Sequence, residues 1–178
     1  MSIEHPTSNE YLRPVPDSSV IIVQDKMKKP PHALIGIAGV HFVVADLSRR
    51  GMVALPTVRN TAGYDIVVLN PEGTKHATIQ VKTSLNRVSF FPMPPSSKIN
   101  DHESAFYALV RWLKNEKRFE CFFLTGDETK RAVEEGERFQ DKRIAKGTRK
   151  KVFPSVYVGP KAGDKIEVWK KRWIEWNL

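Results

Sequence analysis

Between Ala33 and Arg50 apolar side chains recur at helical spacing, with Leu34, Ile35, Ile37, Ala38, Phe42, Ala45 and Leu47 among them. Pro30 and Pro31 precede this run and Gly51 follows it, which supplies a start and a stop for one helix. The pattern then turns to strands. Met52 to Val58 predicts a first strand in which Pro56 suits an edge or a bulge. Two short apolar runs flank Asn70-Pro71-Glu72-Gly73, whose Asn, Pro and Gly stand at the first, second and fourth positions of a type I turn. Arg87 to Met93 predicts another strand, ended by the stretch Pro92 to Ser97. Ala105 to Leu113 and Phe119 to Leu124 read as a strand pair around Lys114 to Arg118, although the first run also suits a helix. Glu128 to Ile144 is helical in pattern, with Asp127 as its cap. Trp169, Trp173, Ile174 and Trp176 close the chain without forming a regular stripe. They predict a C-terminal segment that docks aromatics on the core, with base stacking as the alternative use. Lys170, Lys171 and Arg172 would then face solvent or substrate. Met1 to Lys29 is polar and rich in proline, and predicts an irregular arm with one edge strand at Val20 to Val23. Residues 30–178 are expected to form a single domain.

The hairpin carries the candidate chemistry. If it folds about Glu72 and Gly73, Asp65 lies opposite Gln80. Residues two apart on a strand share a face, so Lys82 becomes the diagonal neighbour of Asp65. Ile66, Val68, Ile79 and Val81 then form the opposite, buried face. A carboxylate and an amide oxygen are hard ligands suited to a magnesium ion that keeps several of its waters. A lysine beside them can orient or deprotonate an attacking water and offset charge on a phosphate. Asp46 falls in the last turns of the preceding helix, where the helix dipole disfavours an anion. Arg49 and Arg50, at i+3 and i+4, offset that cost, so an ion pair is the ordinary reading of Asp46 and a metal ligand the functional one.

Ala45-Asp46-Leu47, Gly51, Asn60-Thr61-Ala62-Gly63-Tyr64-Asp65 and Ile79-Gln80-Val81-Lys82 together resemble the PD-(D/E)XK, or restriction-endonuclease-like, nuclease superfamily. The resemblance covers roughly residues 33 to 125. It implies an α/β fold with a mixed sheet flanked by helices, and a Mg²⁺- or Mn²⁺-dependent nuclease. By that resemblance Asp65 is the principal metal ligand, Gln80 takes the place usually held by Asp or Glu, and Lys82 is the catalytic lysine. Asp46 falls where a helix Glu often stands, one methylene shorter. Gln80 lowers the charge of the site, a variation shared with Mrr-like restriction enzymes.

Composition narrows the partners. The chain has 178 residues, a net charge of +9 and a pI near 9.7, a balance that favours an anionic partner. Basic residues concentrate between Asp141 and Lys151, where Lys146, Arg149, Lys150 and Lys151 form a candidate phosphate-binding run; a solvated loop is the other reading. Cys121 is the only cysteine, which excludes an internal disulfide framework and a cysteine-rich zinc site, and it sits in an apolar run as a buried strand residue would. No histidines pair at metal-ligand spacing, and the longest apolar run is too short to span a bilayer. These features predict a cytoplasmic protein with an anionic partner; the resemblance implies a nuclease acting on DNA in preference to RNA, and cutting both strands of a duplex would favour a homodimer. The alternatives are a nucleic-acid-binding module with a lapsed site and a protein-interaction component of a defence or mobile-element system.

Overall fold

The computed structural model describes residues 30–58, 63–148 and 151–178. The expected arm, Met1 to Lys29, lies outside them. Pro31–Leu178 forms one compact unit. Helix α1 (His32–Arg49) begins directly after Pro31 and is capped at Arg50, followed by Gly51, whose φ of +87° suits a residue without a Cβ. Strands β1 (Val53–Pro56), β2 (Ile66–Leu69), β3 (His76–Ser84), β5 (Ala105–Leu113) and β6 (Arg118–Thr125) form a sheet in the order β1-β2-β3-β5-β6. β3 and β5 run parallel and every other pair is antiparallel, so the sheet is mixed. Between β3 and β5 the chain leaves the sheet to form β4 (Phe90–Pro92), which pairs with β7 (Ser155–Tyr157) in a second, two-stranded sheet. Helices α2 (Gly126–Ala145) and α3 (Lys165–Glu175) complete the unit.

Two cores lie on the two faces of the main sheet. Val43 and Leu47 of α1 cover Ile66, Val68, Ile79, Val81, Val110 and Phe123 on one. On the other, Val133 of α2 joins Leu109, Phe122 and Leu124 with Phe91 and Val156 of the small sheet. β5 and β6 are thus covered from both sides and carry nearly continuous apolar runs, whereas β3 alternates. Trp169 and Trp173 lie one helical turn apart on α3, and each enters a different core. The helix therefore packs along β6, the last strand of the sheet. Lys170, Lys171 and Arg172 are not left to solvent as a group, because Arg172 bonds both the Phe123 carbonyl at 3.1 Å and Glu128, and Lys170 pairs with Glu120 at 3.1 Å.

Two local expectations change. The strand expected over Arg87 to Met93 shortens to three residues, because it pairs only with the short β7. The cap of α2 is Thr125 rather than Asp127. Thr125 and Glu128 form a reciprocal capping box, in which the Thr125 hydroxyl accepts from the Glu128 N–H at 3.2 Å and the Glu128 carboxylate accepts from the Thr125 N–H at 2.9 Å.

Candidate active site

The β2–β3 hairpin has the register its sequence predicts. Gly73 N–H donates to the Asn70 carbonyl at 2.9 Å across the turn, and the Asn70 side chain holds the rest of the loop through the Lys75 N–H, Glu72 and Thr74. Ile66 pairs with Ile79 and Val68 with Ala77, so counting back places Asp65 beside Gln80.

At Asp65 the strand leaves the regular ladder. Its N–H donates to the Ile79 carbonyl at 2.9 Å, one residue out of step with the Ile66–Ile79 pairing, which is the mark of a bulge. Beyond Val81, β3 runs on to Ser84 with no β2 residue paired alongside it. The Asp65 carboxylate turns into this fork, where its Oδ2 accepts the Val81 N–H at 2.7 Å. Val81 lies between Gln80 and Lys82 in sequence. Those two side chains are half-buried and lie level with Tyr107 and Leu109 of β5, on the sheet face away from α1. The expected shared face therefore holds for Gln80 and Lys82. The bulge takes Asp65 off it, and Asp65 lines a cleft of about 410 Å³ with Thr57, Val81, and Gly36 and Val40 of α1.

Asp46 does not join this cleft. It stands six residues beyond Val40, roughly 240° further round the helix. Its oxygens accept from Arg49 at 2.9 Å and from Arg50. Arg50 also donates to the Trp173 carbonyl and lies 4.6 Å from the Trp173 ring centroid. Asp46 thus braces the end of α1 against α3 and is not among the residues that line the Asp65 cleft. The α1 residues that do face Asp65 include Ala33, Gly36, Ile37 and Val40, none of them acidic, and their spacing marks one flank of a helix in the sequence alone.

Lys146 follows α2 at a turn through Gly147, whose φ is +69°, and Lys146 and Lys151 are both exposed. Arg149 and Lys150 lie outside the described residues, as do Asn60, Thr61 and Ala62 of the motif. Cys121 is buried, and burial pushes its thiol pKa well above the ordinary value.

As a magnesium site, the fork offers oxygen donors of the right kind. Asp65 supplies one carboxylate on the α1 side, and Gln80 of the adjoining strand a neutral amide oxygen on the opposite face. Magnesium takes one or two protein carboxylates and completes its shell with water and substrate phosphate. Among the described residues no group of three or more His, Cys, Asp or Glu side chains is placed to hold a metal ion. The donor types suit magnesium, but the described residues do not gather the Asp65 carboxylate and the Gln80 amide at one point, and they form no centre assembled by the protein alone.

Among solved structures, the chain is similar to a bacterial homing endonuclease, I-Ssp6803I, with 16% sequence identity and a TM-score of 0.40 over 56% of this chain and 68% of that one. No family model matches the sequence, and no curated protein matches it. Among the described residues no helix is long and apolar enough to cross a membrane.

Proposed function

We propose that this chain is a nuclease of the PD-(D/E)XK kind that hydrolyses phosphodiester bonds with Mg²⁺ or Mn²⁺, in DNA first and RNA as the alternative. One observation carries the reading: the Asp65 carboxylate meets β3 at the Val81 N–H, and Val81 stands in sequence between the two other residues of the motif, Gln80 and Lys82, whose side chains lie on the other face of the strand. A bound magnesium ion would polarise the phosphoryl oxygen as a Lewis acid. Asp65 supplies the anionic ligand and Gln80 a neutral one. Lys82 offsets charge on the phosphate and holds the attacking water, taking or directing its proton. The net charge of +9 draws the polyanion to the surface at a rate and affinity that fall with salt.

The second reading is a binding module whose site has lapsed. It is favoured by the withdrawal of Asp46 into ion pairs with Arg49 and Arg50, which leaves one carboxylate at the fork.

Cleavage of plasmid and oligonucleotide substrates in Mg²⁺ and Mn²⁺, with and without EDTA, separates the two. The nuclease reading expects cutting that EDTA stops. Asp65→Ala should abolish it without loss of binding, and Lys82→Ala should abolish it and weaken binding. Gln80→Glu, which restores an anionic ligand, should bind metal more tightly and cut at least as fast. Cutting by Gln80→Glu alone would establish the lapsed site, and no cutting or metal binding by either protein would end the nuclease reading.

A further inference from the structure

The small sheet departs from the usual rule of apolar inside and polar outside. Phe91 and Val156, paired across β4 and β7, are buried in the second core. Their neighbours Phe90 and Tyr157, also paired, therefore stand on the outward face, where they are 57% and 40% exposed. A solvated strand face ordinarily carries polar side chains. Here two aromatic rings from paired positions occupy it, and Phe139 of α2, 63% exposed, lines the same groove. The groove has a volume of about 490 Å³ and includes the buried Trp169 in its lining.

The groove's walls are held in place. Gly136 lets α2 approach β7, since a Cβ there would fall 2.9 Å from the Ser155 carbonyl oxygen. Gln140 fastens the chain before β7 through both its amide atoms, donating to the Phe153 carbonyl at 2.8 Å and accepting the Phe153 N–H at 2.7 Å. The Tyr157 ring lies over Gly159, where a Cβ would meet its hydroxyl oxygen at 2.3 Å and Cζ at 2.4 Å.

Charge selects the occupant. Lys165 pairs with Glu135 at 3.0 Å, so those two cancel. Lys161, exposed at the rim, leaves the groove positive. Exposed flat rings beside a lysine suit a ligand with flat faces and an anionic backbone. A duplex keeps its base faces stacked on one another and presents none, whereas a single strand presents one at every residue.

We propose that the groove of Phe90, Tyr157 and Phe139 binds unpaired bases of single-stranded nucleic acid, with a backbone phosphate at Lys161. This rests on the reading that the chain acts on nucleic acid, but it uses no residue of the β2–β3 site.

Fluorescence anisotropy with a labelled oligothymidylate and a duplex of equal length tests it. Phe90→Ala and Tyr157→Ala should each weaken single-strand binding about tenfold and leave duplex binding unchanged. Tyr157→Phe keeps the ring and should keep the affinity. Gly159→Ala, which displaces the Tyr157 ring without removing it, should behave as Tyr157→Ala. Circular dichroism on each variant confirms that the fold persists. Equal effects on both ligands, or none, would overturn the proposal. So would a dimer in sedimentation that Phe90→Ala dissolves, since the face would then be covered by a second copy. If duplex is bound and cut but single strand is not bound, this inference alone fails; if neither form binds, the nucleic-acid reading fails with it.

Discussion

Asp46 lies between two guanidinium groups. Burial alone would raise its pKa, but the hydrogen bonds and charges of Arg49 and Arg50 outweigh it and hold the carboxyl below its ordinary 3.8. A carboxylate whose folded pKa is depressed stabilises the fold fully above its unfolded pKa, and that contribution fades as pH falls through the lower folded value. Asp46→Asn should therefore cost about 1–2 kcal/mol at neutral pH, with the gap to wild type closing only in acid below pH 3.8. Cleavage per folded molecule should be unchanged. Urea titrations across pH, paired with a cleavage assay, check both halves. A loss of cutting at full stability would return Asp46 to the site. Asp65 is the converse case, since the ligand role proposed for it would fall on the same carboxylate that accepts the Val81 N–H.

At the scale of elements, the contact that seats α1 on the sheet is a glycine on a threonine. A Cβ at Gly39 would fall 1.8 Å from Thr83 Oγ1 and 2.8 Å from Thr83 Cβ and Cγ2. That Oγ1 is buried and has no hydrogen-bond partner among the described residues. Gly39→Ala should destabilise by about 1–3 kcal/mol through overpacking. Thr83→Val fills the same shape without the stranded hydroxyl and should be neutral or raise the melting temperature. Thermal melts of the two variants read this directly, and a destabilised Thr83→Val would mean that the hydroxyl is satisfied after all. The helix itself was legible within one residue at each end, because prolines, a glycine and a 3.6-residue repeat mark it. The hairpin register was legible too, because Asn70, Pro71 and Gly73 leave little choice of turn. β5 was ambiguous for a physical reason: covered on both faces, it has no alternation to separate it from a buried helix. β4 was overdrawn because its partner is distant in sequence. The bulge at Asp65 was invisible, since side-chain alternation assumes the regular ladder that the bulge interrupts.

Across the whole molecule, charge and cohesion are set by different parts. Among the described residues, lysine and arginine lie mostly on exposed positions. Stability comes from two cores that share one sheet, and α3 belongs to both. Trp173→Ala trims only the core beneath α1, at a cost of about 3–5 kcal/mol. Fluorescence and backbone signals from the opposite core should nevertheless melt at the same lowered midpoint. Two separated transitions would show that the layers unfold independently. The seating of α3 along β6 also inverts an ordinary expectation about hydrogen exchange. Terminal strands of a sheet usually exchange their amides early because nothing shields them. In this chain the β6 end is shielded by a helix anchored in both layers, while β1 at the other end exposes Val53 and Leu55 and finishes in a proline. Opening should therefore run as a zipper from β1 inward, with the amides of β6 among the last to give up their protons.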